Sequence, residues 1–146
     1  KKKFFLLKKN INPQNISKIN NQYLKEVGLS KQKIFYIKNI SNFFLQNKIF
    51  IKNIKGFNEE IIKEKLIRIK GIGPWTIDMF LIFGLGKLNV LPKGDLGFLK
   101  AISIAYKKNL PISEKNLNFL YKKWQPYCTI ATWYLWRSLD PVTVSY

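Results

Sequence analysis

The stretch Leu66-Ile67-Arg68-Ile69-Lys70-Gly71-Ile72-Gly73-Pro74-Trp75-Thr76 decides the architecture. Upstream of it, Ile61, Ile62, Leu66 and Ile69 recur at helical spacing. Asn58 can cap that helix, and Glu59 and Glu60 sit in its first turn, where the helix dipole favours negative charge. Gly71 stops it. Pro74 opens a second helix at once, because proline's fixed φ and missing N–H suit the first helical position. Two helices joined by a turn in which Gly71 and Gly73 flank one apolar residue make a helix-hairpin-helix over about residues 58–84. The free N–H groups at the start of the second helix favour an anion, the glycines admit a phosphate close to the backbone, and Lys70 adds a cation. Lys70, Gly71, Ile72, Gly73 and Thr76 are therefore candidate phosphate contacts of a kind that reads no base sequence. An ordinary tight turn between helices would use the same glycines and proline, so the turn alone does not settle a function.

The rest of the chain also reads as helical, with little sustained alternation. A first helix is expected around Asn15 to Val27, closed by Gly28. Ser30 caps a second, with Ile34, Ile37, Ile40 and Phe44 along one face, and Asn47 to Phe57 reads as a loop with apolar anchors. After the hairpin, Trp75 to Phe83 is apolar on nearly every side and predicts a central buried helix. A loop from Gly84 to Gly94 contains Pro92. A further helix begins near Asp95 and fades at Lys107-Lys108-Asn109. Pro111 and Ser113 mark another start, and Tyr127 to Leu139 forms the last helix before Pro141. Without repeats or low-complexity linkers, the expectation is a compact all-α domain over residues 1–146.

Composition narrows the function classes. Of the 146 residues, 47% are hydrophobic and 15% aromatic, which excludes a disordered chain. A chain of this length buries roughly 70% of the surface its unfolded form exposes, enough for one core. The apolar runs fall far short of the roughly 20 residues a membrane-spanning helix needs. Lys1-Lys2-Lys3 before Phe4-Phe5-Leu6-Leu7 loosely resembles a secretory start, but Lys8-Lys9 cut it off. Cys128 is the single cysteine and there is no histidine, so no intrachain disulfide, four-cysteine cluster or ordinary zinc site is expected. A reducing cytoplasm fits, with nucleoid association in a bacterium. The net charge of +18, from 26 basic and 8 acidic residues, points to a polyanion. Lysine outnumbers arginine 24 to 2, and Ile, Asn and Phe are abundant. All have A/T-rich codons, so genome composition is a second source of the charge, and motifs must decide.

Three motifs do so. Gly71-Ile72-Gly73-Pro74-Trp75-Thr76 is followed by Met79-Phe80-Leu81-Ile82-Phe83-Gly84 and then by Gly94-Asp95-Leu96-Gly97, in a Gly-Asp loop over 92–97. This order resembles the helix-hairpin-helix DNA glycosylases with a Gly/Pro-rich loop and an aspartate, and within them the DNA-3-methyladenine glycosylase II branch. Trp124-Gln125-Pro126-Tyr127 and Ala131-Thr132-Trp133-Tyr134-Leu135-Trp136-Arg137 are similar to that branch's final helix, and Gly28-Leu29-Ser30 with Lys33 and Tyr36-Ile37 also fits. The likeness runs from about Pro13 to the end.

The resemblance implies that Asp95 is the catalytic carboxylate. Breaking a base–sugar bond builds positive charge on the sugar, which a fixed carboxylate stabilises, or it orients the attacking water. Asp95 is also well suited simply to cap the helix that begins there, and both roles can coexist. Trp75 and Trp136 match aromatic positions lining the damaged-base pocket, where an indole face stacks an extruded base and attracts a cationic one. Core packing is the competing role for both. Met79, one turn after Trp75, matches a further pocket position. Relatives that form a Schiff base carry a lysine where this chain has Trp75, so hydrolysis without strand cleavage is expected. Asp78 falls off the Trp75–Met79 face and reads as a solvated surface acid. The family's hairpin can hold a monovalent cation on backbone carbonyls, here of Ile67, Ile69 and Ile72; otherwise no cofactor is implied.

Relative to the family the chain reads as N-terminally shortened, lacking a Gln- and small-residue-rich helix and a β subdomain. Cys128 stands where relatives commonly carry a basic residue, and a packed role suits it. The expected partner is damaged double-stranded DNA, met by a monomer away from membranes. The rival readings are a catalytically silent DNA-binding module and a glycosylase for deaminated or oxidised bases.

Overall fold

The computed structural model describes residues 11–140, and every described element is helical, with no strand among them. The secretory-like start at Lys1–Lys9 lies outside the described residues. Contacts between Cα atoms group the chain into two compact units, one ending at Gly73 and the other beginning at Pro74.

In the first unit, side-chain caps set where each helix starts. Asn12 precedes α1 (Pro13–Lys18), Asn20 precedes α2 (Asn21–Glu26) and Ser30 precedes α3 (Lys31–Gln46); each accepts a hydrogen bond from a backbone N–H in the following turn. Asn58 does the same for α5 (Glu59–Leu66), taking the Ile61 N–H at 2.9 Å. The single helix expected over 15–27 is in fact two. Ile19 is extended at ψ 137, its carbonyl takes the Lys38 ammonium at 2.8 Å, and Asn20 caps anew. The expected loop at 47–57 is corrected too: it holds α4 (Lys48–Lys52) and a 3-10 turn at Ile54–Gly56. Its anchors explain why. Phe50 is buried, its ring centroid 5.2 Å from Phe57 and 6.3 Å from Phe43, and Ile54 is buried beside it in sequence. Ile16, Leu24, Ile34, Ile62, Leu66 and Ile69 complete the unit's buried apolar set.

In the second unit, α6 (Pro74–Met79) runs into a single π-helical turn at Phe80–Gly84. α7 (Leu96–Ala105), α8 (Glu114–Trp124) and α9 (Cys128–Arg137) follow, α7 packing on α9. Their core is Leu91, Phe98, Ala101, Ile102, Ile112, Leu117, Leu120, Cys128 and Leu135. Phe98 is fully buried with Trp124 edge-on at 6.3 Å, a burial that contributes about 1.5–3 kcal/mol. Cys128 is fully buried, a small packed residue. Thr129 ties the loop before the Gly-Asp segment to α9: its hydroxyl donates to the Lys87 carbonyl at 2.7 Å and accepts from the Val90 N–H at 3.1 Å.

Two expectations here need correction. Residues 75–83 are not one buried helix: Ile77, Leu81 and Ile82 are buried, but Trp75 and Phe83 are 50% and 61% exposed. Apolar character marked a surface the protein keeps open as well as a core. Asp78 is not a solvated surface acid but is 8% exposed. It sits next to Ile77 on the packed side of a short helix, where a shift of a third of a turn is enough to turn a residue inward.

Candidate active site

Asp95 ends the loop that Pro92 starts, its N–H donating to the Pro92 carbonyl at 2.9 Å. It is the N-cap of α7, and Oδ1 takes the Phe98 N–H at 2.6 Å. The cap is only part of its bonding. Trp75 Nε1 donates to Oδ2 at 2.7 Å, and Trp136 Nε1 donates to Oδ1 at 2.9 Å. Two indoles from opposite ends of the unit's sequence thus converge on one carboxylate. Sequence spacing pairs neither with Asp95; the fold does.

Burial is the largest single influence on this carboxyl and pushes its pKa up. The N–H of Phe98, the indoles of Trp136 and Trp75 and the N–H of Gly97 together outweigh it, and the net value lies below the ordinary carboxylate range. With donors on both oxygens, Asp95 is held as an anion and is a weak proton acceptor. Its chemistry is electrostatic: a fixed negative charge beside whatever positive charge develops next to it. Gly97 permits this closeness, since a Cβ there would lie 3.3 Å from Oδ1 and 3.8 Å from the Trp136 ring.

Phe83 belongs with this group, and sequence reasoning did not single it out. Its ring stacks on Trp136 at 5.9 Å with 12° between planes and meets Trp133 edge-on at 6.3 Å. The π-helical turn presents it, and Gly84 leaves room for the Phe80 ring beneath. A π-turn inside an apolar run was the signal; its five-residue register is not legible in composition. Met79 is half-buried one turn after Trp75, and no described contact joins it to Asp95. Thr76 is half-buried on α6.

The hairpin turn closes the first unit. The Ile69 carbonyl accepts the Ile72 N–H at 3.0 Å, and Gly71 has φ +100, a conformation L side chains rarely adopt. A Cβ on Gly71 would also run into the ring of Tyr36, so the turn is moulded onto α3. Gly73 faces open space, and Lys70 is exposed. Among the described residues no three of His, Cys, Asp and Glu are grouped to hold a metal ion, and no helix is long and apolar enough to cross a membrane.

No protein-family model matches the chain. Over 88% of its length it is 32% identical to YfjP of Bacillus subtilis, whose name assigns it provisionally to the DNA-3-methyladenine glycosylases; the match covers 45% of that protein. The solved structure of Schizosaccharomyces pombe Mag1, a 3-methyladenine DNA glycosylase in complex with abasic DNA, superposes with a TM-score of 0.78 at 27% identity. That superposition covers 90% of this chain and 66% of Mag1. DNA-3-methyladenine glycosidase of Bacillus halodurans gives 0.76 at 32% identity, over 89% of this chain and 60% of the other. The chain spans about half the length of the curated relatives it matches.

Proposed function

The chain belongs to the helix-hairpin-helix DNA glycosylases, and we propose that it is a monofunctional enzyme releasing alkylated purines from duplex DNA. The observation that carries this is the carboxylate of Asp95 fixed by two indole N–H groups, beside aromatic rings left open to solvent.

A base inside a duplex is out of reach, so the nucleotide must be extruded, which an alkylated and weakly paired base resists least. The half-exposed Trp75 and the exposed Phe83, backed by Trp136, give flat walls for such a base. An alkylated purine carries positive charge and gains cation–π attraction there of about 0.5–2 kcal/mol. It is also already a good leaving group, so no acid is needed to protonate it, in keeping with a chain that has no histidine. As the glycosidic bond lengthens, charge moves to the sugar. Asp95, anionic and held rigid, stabilises that charge with no reorganisation of its own. Water completes the hydrolysis, giving free base and an abasic site. With Trp75 where a Schiff-base lysine would stand, the strand stays intact.

Backbone and charge of Lys70, Gly71, Ile72 and Gly73 supply a phosphate grip that is indifferent to sequence. The carbonyls of Ile67, Ile69 and Ile72 are suitable donors for a monovalent cation. The Ile69 oxygen spends one lone pair on the Ile72 N–H and keeps a second. One flipped base needs one pocket, so the working unit is a monomer. The reading is tested by incubating the chain with methylated duplex and analysing the products. Free methylated base with an unbroken, heat-labile strand is expected, and borohydride should trap no adduct. A trapped adduct would replace hydrolysis by a covalent lysine route. DNA binding with no base released would mark a binding module.

A further inference from the structure

Away from Asp95, at the far end of α7, a concavity opens on the same unit. It encloses about 290 Å³ and is lined by Tyr106, Lys108, Lys115, Asn116, Phe119 and Leu120. Asp95 caps the start of α7 and Tyr106 its end, ten helical residues apart, so roughly 15 Å of helix separates the two sites. It is not part of the excision pocket. Two features stand out in its lining. Phe119 is 64% exposed and Tyr106 38% exposed, so flat rings face solvent where a core would bury them. From Lys100 to Lys123 the sequence carries six lysines and one carboxylate, Glu114, and that carboxylate is paired to Lys93 at 3.0 Å. Tyr106 is braced from behind by Trp124 at 6.1 Å, and the Ser103 hydroxyl holds the Lys108 carbonyl at 2.6 Å, which shapes the turn after α7.

We propose that this concavity binds an unpaired nucleotide of a nucleic-acid strand, its base on Phe119 and its phosphates on Lys108 and Lys115. Lysines alone accept any polyanion, and an exposed phenyl ring alone accepts any apolar group. Together they select a ligand that alternates fixed negative charge with flat rings, which is the pattern of single-stranded nucleic acid. An acidic peptide would satisfy the lysines and leave Phe119 idle. The site goes beyond the excision reading and does not depend on it, since binding needs no turnover at Asp95.

The test uses the full chain and two short fluorescent oligomers of equal length, oligothymidylate and an abasic oligomer with the same phosphates. Anisotropy should show oligothymidylate binding about tenfold tighter, the usual scale for stacking one base on an aromatic ring. Phe119→Ala should cut that preference severalfold, while Lys115→Glu weakens both oligomers. Both residues are exposed, and unchanged thermal melting would show that the variants fold. Equal affinity for the two oligomers, or a preference undiminished in Phe119→Ala, would overturn the proposal. Release of methylated base from a duplex, followed in parallel, should be unaltered in Phe119→Ala. Loss of release in the parent chain would sink the excision reading while leaving the oligomer result to judge this one.

Discussion

Residues 70–73 and residues 92–97 are both short glycine-containing segments that lead directly into a helix, and they use the same physics in opposite ways. A helix start offers backbone N–H groups that have no partner inside the helix. In the second segment the protein fills them with its own anion: Asp95 takes the Phe98 N–H at 2.6 Å, then gathers two indole donors as well. In the first there is no acidic side chain. The cation Lys70 stands there instead, and the grip proposed for this turn takes its anion from outside. The charge proposed to act at every turnover is built in and held rigid. The charge proposed to arrive with DNA is not built in. The placing of glycine follows. Gly71 shapes a backbone, whereas Gly97 clears space beside a carboxylate.

Gly71→Ala probes the first use and should have the largest effect on folding. It combines a left-handed conformation costing about 1–2 kcal/mol with a Cβ driven into the Tyr36 ring, for a total of about 3 kcal/mol in a denaturant melt. A loss under about 0.5 kcal/mol would show that the turn is not moulded on α3.

Trp136→Phe probes the second use. It deletes one donor to Oδ1 while keeping a ring against Phe83. A hydrogen bond to a charged group is worth about 1.5–3 kcal/mol, so base release should fall about tenfold or more. The Asp95 pKa should rise toward the ordinary carboxylate range, moving the acid limb of the pH–rate profile upward. The same pKa shift governs stability. The folded value lies below the unfolded one, so Asp95 stabilises the fold above the ordinary carboxylate range. That contribution is lost as pH falls through the lowered value. Asp95→Asn should flatten this part of an acid-denaturation curve; an unchanged curve would mean that its hydrogen bonds do not favour the anion.

Gly97→Ala should be milder, a several-fold loss of release, because Oδ1 and the Trp136 edge must each give by a few tenths of an ångström. Gly73→Ala comes last. Its Cβ would meet nothing, so stability should hold within about 0.5 kcal/mol, while DNA affinity weakens alike on all sequences. Weakening at one sequence only would contradict a grip on phosphates.

The contrast also separates what the sequence made legible from what it did not. Caps were readable because they are local: Ser30, Asn58, Asp95 and Ser113 each bond to a backbone N–H three residues on. The helix starts on either side of the glycine turn, after Asn58 and at Pro74, were readable for the same reason. The break at Ile19 was not, because it is completed by Lys38 from another helix. Asn47 to Phe57 looked like a loop because its helix is only five residues long and is held by Phe50 packing on Phe43 and Phe57, partners invisible to local propensity. At the site, the family motif pointed to Asp95, Trp75 and Trp136 singly. Their convergence spans up to 41 residues and belongs to tertiary structure. Phe83 and the burial of Asp78 went unseen because hydrophobic periodicity assigns a face to the core or to water, and in this segment both assignments fail.

The central claim is that a built-in, fully hydrogen-bonded anion at Asp95 drives base release, and its most direct test is one comparison. Release of methylated base from methylated duplex would be measured for the chain and for Asp95→Asn, with duplex affinity measured alongside. The account predicts release by the parent chain and at least a hundredfold loss in the variant, on the scale of removing a principal charge-stabilising group, with DNA affinity retained. Equal release by both would contradict it, and would leave Asp95 as no more than the cap of α7.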